Sequence, residues 1–233
     1  MSNVLAISDC QIPFDHKDSL KFLVAVAKKY KVNKVIQIGD LVDNYSLSSY
    51  IHDPEAMSAG EELNTTIKRL KEYYKAFPKV DVLYGNHDIR LFRKAQEAGI
   101  PKSYIRPLGD VLQFPKGWKF HDELVIDNVI YEHGDKLGNG GGAGAFKKAI
   151  DSNMASTIFG HFHAQAGIKY FANKKHLCFA MNIGCLMDTK SYAAAYGAAF
   201  PSKPILSCAV ILDGQPILIP MVLNQRGRWV NKL

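Results

Sequence analysis

Nine side chains able to bind metal or transfer protons follow short apolar runs of the sequence. Carboxylates neutralise the charge of a cation, imidazoles and amides act as neutral donors, and one carboxylate can bridge two ions. Such a supply of ligands is typical of sites that hold a pair of divalent ions for attack on a phosphate ester. In chain order the candidates are Asp9, Gln11, Asp40, Asp43, Asn86, His87, His133, His161 and His163.

The elements that position the first of these residues alternate between strand and helix. Crossovers of this kind are right-handed and pair the strands in parallel. Ligands bind at the carboxyl ends of such strands, so we expect Asp9, Asp40 and Asn86 to meet there. The predicted strands are 4–7, 35–38 and 80–84, and the predicted helices are 17–30 and 61–77.

The second half of the chain has shorter elements divided by turn residues. We predict a helix from Ala145 to Met154, a hairpin of 168–171 with 176–180, and a second hairpin at Asp213-Gly214, which is a strong two-residue turn signal. The basic segment from Asn224 onwards is expected at the surface. Further strands are predicted at 119–120, 124–126, 129–132 and 157–159.

The candidate residues fall into five motifs between residues 9 and 163. They read Asp-x-Gln, Gly-Asp-x-x-Asp, Gly-Asn-His-Asp, His-Gly and Gly-His-x-His. This ordered series resembles the signature of the calcineurin-like metallophosphoesterase superfamily, in its phage and bacterial form. The segment Asn182-Ile183-Gly184-Cys185 also resembles the Asn-x-Gly-Ser segment that often follows the last block.

The resemblance implies a fold, a cofactor and a ligand set. The implied fold is α/β, a four-layer αββα sandwich of two mixed sheets flanked by helices, formed by residues 1–233 as a single domain. The implied cofactor is two divalent ions that share a hydroxide, with Mn²⁺ favoured and Mg²⁺, Fe or Zn²⁺ as alternatives. Asp9, Gln11 and His163 would hold the first ion, Asn86, His133 and His161 the second, and Asp40 both.

Three further residues are assigned to catalysis by the same resemblance. His87 would protonate the leaving oxygen or stabilise developing charge, and Asp43 would orient its ring. Arg90 stands where phosphatases of this superfamily place an arginine that grips phosphate. Taken alone, Asp43 fits a turn cap and Arg90 fits an exposed residue of the first helical turn.

Two positions depart from the common pattern. Gln11 stands where most members have histidine, and an amide oxygen there favours Mn²⁺ or Mg²⁺ over softer ions. Asn44 follows Asp43 where protein serine/threonine phosphatases have arginine, which weakens an assignment to that class.

The glycine-rich segment 138–144 lacks the lysine and hydroxyl residue that end a P-loop. It follows His133-Gly134 and precedes a predicted helix, so Gly140 and Gly141 are candidates for contacting substrate phosphate through backbone N–H groups. A flexible surface loop is the alternative.

The net charge of +7 is compatible with a phosphate-bearing substrate, including nucleic acid. We therefore favour a phosphodiesterase or nuclease, with a phosphomonoesterase and a catalytically weak metal-binding interaction module as alternatives. No segment is long and apolar enough to predict a membrane span, and the four dispersed cysteines favour a reducing, cytoplasmic location. The oligomeric state stays open.

Overall fold

A computed structural model describes residues 2–138, 142–197 and 201–233. Within these ranges eleven strands form two sheets, in the orders β11-β10-β1-β2-β3-β4 and β5-β6-β7-β9-β8. The strands are β1 (Asn3–Ile7), β2 (Lys34–Gln37), β3 (Val80–Leu83), β4 (Trp118–His121), β5 (Leu124–Ile126), β6 (Val129–Tyr131), β7 (Ser156–Phe159), β8 (Ala166–Ala172), β9 (Leu177–Ile183), β10 (Ser207–Leu212) and β11 (Gln215–Pro220). The helices are α1 (Ser19–Lys29), α2 (Ala59–Ala76), α3 (Arg90–Glu97), α4 (Leu108–Val111) and α5 (Ala145–Asn153).

The first sheet has a parallel centre, as the alternating pattern predicts. β1, β2, β3 and β4 pair in parallel, and their carboxyl ends lie at one edge. β10 joins β1 antiparallel and continues into β11 through the predicted Asp213-Gly214 turn. The mixed character of this sheet arises because the last hairpin enters beside the first strand.

The second sheet is also mixed. β6, β7 and β9 pair in parallel, whereas β5 and β8 lie antiparallel to their neighbours. The predicted hairpin is present and longer than expected, because the β8–β9 pairing runs from Ala166 opposite Ile183 to Ala172 opposite Leu177.

Alternating side chains of β1 show how the layers are arranged. Val4 and Ala6 pack in a cluster that also contains Ile158 and Met181 of the second sheet. Leu5 and Ile7 belong instead to the cluster of helices α1 and α2. On the far side, α5 packs against β7 and β9. The predicted α/β sandwich of two mixed sheets flanked by helices is therefore confirmed.

The helix boundaries follow local signals. α2 begins two residues earlier than predicted, because Ser58 and Glu61 form a capping box there. α1 is shorter than the predicted 17–30. It ends with Lys28 and Lys29, whose positive charges interact favourably with the negative, C-terminal end of the helix dipole. Among the helices that the structure describes, none has the length and apolarity to cross a membrane.

The expectation that the C-terminal segment lies at the surface is wrong for one residue. Trp229 is buried and packs edge-on against Phe22 of α1, with ring centroids 5.5 Å apart. Asp18 accepts hydrogen bonds from Arg228 Nε at 2.7 Å and from the Trp229 N–H at 3.1 Å. Burial of the Trp229 indole and the hydrogen bonds to the Asp18 carboxylate together hold this segment against α1.

Candidate active site

Asp9 joins the end of β1 to the loop after β7. Its Oδ1 lies 2.9 Å from His163 Nε2, and its Oδ2 accepts the His161 N–H at 2.9 Å and the Ser8 hydroxyl. Burial opposes ionisation of Asp9, but His163 outweighs it and lowers the pKa of the carboxyl. These contacts bring residues 152 and 154 positions apart in sequence into one cluster.

Asp40 lies just after β2, against side chains that follow β3 and β6. Its Oδ2 is 3.2 Å from His133 Nε2, and that nitrogen is 3.1 Å from Asn86 Oδ1. Donor atoms of Asp40, His133 and His161 all lie within 4.8 Å of one another. Side chains from both sheets therefore converge at the carboxyl ends of the strands, as the sequence predicts.

The hydrogen bond of His133 to the backbone fixes the tautomer of its neutral ring. Nδ1 lies 3.2 Å from the Ile38 carbonyl oxygen, which can only accept, so Nδ1 carries the proton. Nε2 is thereby left to face Asp40. Support of this kind through the second ring nitrogen is common for metal-binding histidines.

The cluster requires compensating positive charge. Burial lowers the pKa of His133, but Asp40 raises it more strongly, to about 10. Burial likewise opposes ionisation of Asp40, yet His133 and His87 hold the pKa of Asp40 well below its usual range. Burial and His133 lower the pKa of His161, which favours the neutral imidazole that binds metals.

Four of the candidate ligands have left-handed backbone conformations. The φ angles are 49° at Asp9, 48° at Gln11, 52° at Asp40 and 66° at His161. Each such residue costs about 1–3 kcal/mol and persists where surrounding structure enforces it, commonly at functional sites. The strain occurs where each chain segment leaves its strand and turns a candidate ligand inward.

Glycines in two motifs allow the loops to approach each other closely. A Cβ at Gly85 would lie 2.1 Å from Asp40 Oδ1, and one at Gly160 would lie 2.4 Å from Asp9 Oδ2. These distances are far below van der Waals contact. The glycines before Asn86 and His161 are therefore required by the packing of the carboxylates.

Gln11 has a buried side-chain amide beside the cluster. Its side chain is buried, and neither Oε1 nor Nε2 has a hydrogen-bond partner among the residues that the structure describes. Its backbone N–H donates to the Asp40 carbonyl at 2.9 Å, which places it beside the cluster. An unpaired buried amide costs free energy, and a metal ion on Oε1 would remove part of that cost.

His87, Asp43 and Arg90 form a connected group beside Asp40. His87 Nδ1 lies 3.3 Å from Asp43 Oδ1, and Nε2 lies 3.8 Å from Asp40 Oδ2. Arg90 donates to Asp43 Oδ1 at 2.9 Å and approaches His87 Nε2 at 3.2 Å. Burial lowers the pKa of His87, but Asp40 and Asp43 outweigh it and raise the pKa.

Sequence reasoning missed Asp88, the last residue of Gly-Asn-His-Asp. Its buried carboxylate accepts backbone N–H groups of Gly85 at 2.8 Å, Val42 at 3.1 Å and Leu41 at 3.4 Å. Burial and the neighbouring Asp40 raise the pKa of Asp88 to about 7. The available signal was a carboxylate directly after Asn86 and His87, two residues that already had assigned roles.

Asn182 supports the loop that carries the last two histidines. Its Nδ2 donates to the Phe162 carbonyl at 3.0 Å, and its Oδ1 accepts the Gly184 N–H at 3.2 Å. The segment singled out by its resemblance to Asn-x-Gly-Ser thus fixes Phe162 between His161 and His163. Gly140 and Gly141, the other candidates for substrate contact, lie outside the described residues.

The chain was compared with family models and with known protein sequences, and both comparisons found matches over most of its length. The model of the calcineurin-like phosphoesterase family matches residues 2–177. The chain is 27% identical to the Gene 54 protein of Mycobacterium phage L5, covering 94% of this chain and 93% of that protein. Its identity to the Gene 54 protein of Mycobacterium phage D29 is 28%, with the same coverage.

Solved structures with a similar course of the chain have low sequence identity. Vps29 from Chaetomium thermophilum aligns with a TM-score of 0.51 at 10% identity, covering 98% of this chain and 94% of that one. YfcE, a phosphoesterase from E. coli, aligns with a TM-score of 0.42 at 13% identity, covering 99% and 98%. The Vps29 match supports the two-sheet fold.

Proposed function

The chain belongs to the calcineurin-like phosphoesterase family, which makes it a metal-dependent phosphoesterase, and we propose that it is a two-metal phosphodiesterase of the nuclease type. The observation that carries this proposal is the convergence of two buried carboxylates and three imidazoles at the carboxyl ends of strands from both sheets. No cationic side chain contacts Asp9 or Asp40 among the described ion pairs, apart from histidines. Bound divalent ions would therefore neutralise the negative charge of these carboxylates.

We assign the ligands as the motifs suggest. Asp9, Gln11 and His163 would hold one ion, and Asp40 would be shared with the other. The Gln11 amide has no hydrogen-bond partner within the described ranges, which supports its place in the set, and its oxygen favours Mn²⁺ ahead of Mg²⁺, Fe or Zn²⁺. The second ion would use Asn86, His133 and His161, whose donor atoms lie close to Asp40.

His87 acts as the general acid for the leaving group in this proposal. When bound, the two ions supply Lewis acidity that activates water and neutralises charge on the phosphoryl oxygens. Hydrolysis adds the hydroxyl of water to phosphorus and a proton to the leaving oxygen, and His87 delivers that proton. Asp43 orients the ring through Nδ1, and Arg90 holds Asp43 and lies beside Nε2.

The residues next to His87 favour a phosphodiester over a phosphomonoester as the substrate. Asn44 replaces the arginine of protein phosphatases, and its Nδ2 donates to the His87 carbonyl at 3.1 Å. Arg90 is already bonded to Asp43, so among the described residues no free guanidinium lies directly beside His87 to neutralise the extra charge of a monoester. The net charge of +7 suits a polyanionic substrate.

Hydrolysis of bis-p-nitrophenyl phosphate against p-nitrophenyl phosphate tests the proposal, with Mn²⁺ added and EDTA as control. We expect metal-dependent cleavage with clear preference for the diester, and loss of that activity in Asp40→Asn. Preference for the monoester would favour a phosphomonoesterase. Absence of turnover in protein that carries two metal ions would contradict the enzymatic proposal and favour an interaction module.

Two wider assignments accompany this function. We propose that residues 1–233 act as one domain, since the motifs and their supporting segment Asn182–Cys185 draw on both sheets. We propose a cytoplasmic location, since Cys10, Cys178, Cys185 and Cys208 are free thiols.

A further inference from the structure

A groove of about 240 Å³ leads away from the candidate metal centre. One wall is helix α3, and the other is the segment that follows the short 3₁₀ helix Tyr45–Leu47. Lys94 Nζ donates to Ser49 Oγ at 3.3 Å and so connects the two walls. The lining residues are Leu47, Ser48, Ser49, Tyr50, Asn86, Arg90, Arg93, Lys94 and Glu97.

The inner end of the groove is part of the proposed active site. Asn86, which lines it, is 3.1 Å from His133 through its amide oxygen. Arg90, which also lines it, lies 3.2 Å from His87. A ligand whose scissile phosphate occupies the metal centre would therefore extend its adjoining part into this groove.

The charge of the groove fits an anion. Three cationic side chains line it, against the single carboxylate of Glu97. Arg90 is paired with Asp43, and Lys94 with Glu97 at 2.8 Å. Arg93 is exposed and forms no ion pair within the described residues, so its guanidinium is available to a phosphate group.

An aromatic side chain stands exposed at the same groove. Tyr50 is 82% accessible to solvent, although its backbone is held by a hydrogen bond from its N–H to Ser48 Oγ at 3.2 Å. An accessible ring beside cations is the combination with which proteins bind single strands, because bases stack on the ring while cations follow the phosphates. Bases in a duplex have both faces occupied and cannot use such a ring.

The size of the groove indicates a ligand that continues beyond it. Pockets that enclose a whole small molecule usually measure roughly 300–1,000 Å³. The present groove is smaller and has an exposed outer end at Tyr50 and Arg93. It is suited to one segment of a longer chain.

We propose that this groove binds a single strand of nucleic acid beside the scissile phosphodiester, with Arg93 on a backbone phosphate and Tyr50 stacked on a base. The inference rests on the proposed phosphodiesterase function and adds its substrate class. Bis-p-nitrophenyl phosphate is too short to reach Arg93 and Tyr50 as a strand would. The ratio of kcat/KM for an oligonucleotide to kcat/KM for this small diester therefore isolates the groove.

The variants Arg93→Ala and Tyr50→Ala test the proposal on a thymidine oligonucleotide of roughly 12 nucleotides. Each should lower the kcat/KM ratio about tenfold, chiefly through KM, since stacking and phosphate contact bind ground state and transition state alike. Arg226→Ala and Tyr170→Ala, which remove an exposed arginine and an exposed tyrosine elsewhere, should leave the ratio unchanged. Affinity for the oligonucleotide should decrease as salt increases. In Arg93→Ala the slope of log affinity against log salt should become less steep by about 0.7.

Binding of the labelled oligonucleotide in EDTA, followed by fluorescence anisotropy, separates this inference from catalysis. Weaker binding by Arg93→Ala and Tyr50→Ala supports the groove even if the wild type cleaves no diester, a result that would overturn the proposed function alone. Wild-type cleavage of bis-p-nitrophenyl phosphate with unchanged oligonucleotide binding and ratios in both variants would overturn the groove alone. Equal affinity for a duplex of the same length would also overturn it.

Discussion

The carboxylate of Asp88 accepts a hydrogen bond from the backbone N–H of Val42 at 3.1 Å, across 46 positions of the chain. A second bond, from the Gly85 N–H at 2.8 Å, ties the same carboxylate to its own loop. The two loops carry Asp40 and Asn86, which are proposed to bind the metal ions. Asp88 therefore fixes the separation of ligands without being directed at the metal centre itself.

Replacing Asp88 by alanine should weaken both the fold and metal binding. Backbone N–H groups that are buried would lose their acceptor, which should reduce the free energy of unfolding by about 3 kcal/mol. Denaturant unfolding and calorimetric titration with Mn²⁺ measure the two effects. Asp151→Ala, an exposed carboxylate on α5, is the matched control. Wild-type Mn²⁺ affinity in folded Asp88→Ala would contradict the positioning role.

His87→Asn should separate catalysis from metal binding. Loss of a proton donor to the leaving oxygen typically lowers turnover by about 10²–10⁴-fold. The loss should be greater for a diester with an alkoxide leaving group than for a nitrophenyl ester, because nitrophenolate leaves without protonation. Metal content should stay at the wild-type level, and His176→Asn, at an exposed position, should have no effect. An apo His87→Asn protein would contradict this assignment.

The gathering of the candidate ligands was predictable because each follows an apolar strand, and strand ends meet at one edge of an α/β sheet. Asp88 was not, because its partners are backbone N–H groups of another loop, and no spacing in the sequence reports such pairing. The bonding of Arg90 to Asp43 depends on a side-chain rotamer, which residue type alone does not determine. Trp229 was missed because a single indole in a basic segment has no periodicity that would indicate burial.

Arg228→Gln should alter the dependence of stability on pH. The Arg228 guanidinium, which bonds to both oxygens of Asp18, holds the pKa of that carboxyl well below its usual range. A depressed folded-state pKa contributes stability above the unfolded pKa of about 3.9, and the contribution is lost as pH falls through the folded pKa. Wild type should therefore be more stable than Arg228→Gln at pH 7.

That difference should shrink progressively below about pH 4, where Asp18 begins to take up its proton in the unfolded chain. Thermal unfolding from neutral to acidic pH measures it. Arg226→Gln removes the same charge without a side-chain partner on Asp18 and should behave as wild type at every pH. A constant difference across the whole range would show that Arg228 acts through packing rather than through the Asp18 carboxylate.

Gln11→Met should stabilise the metal-free protein and lower its response to metal. The two side chains are similar in length, and methionine removes two buried polar atoms that have no hydrogen-bond partner in the described part of the chain. In EDTA the free energy of unfolding should rise by about 1–3 kcal/mol, the usual cost of an unsatisfied buried group. Stabilisation by Mn²⁺ depends on affinity for the folded state, so losing a ligand should reduce it.

Gln37→Met provides the matched control, because Gln37 is also buried with an amide that has no partner within the described residues, but it belongs to β2 itself and to none of the five motifs. It should gain stability in EDTA and keep the full stabilisation by Mn²⁺. The two variants thus differ only in their response to the metal, which thermal unfolding at graded Mn²⁺ concentrations measures. If Gln11→Met kept the complete wild-type response, the amide would be a buried defect of the fold rather than a ligand, and the first metal site would rest on Asp9, Asp40 and His163 alone.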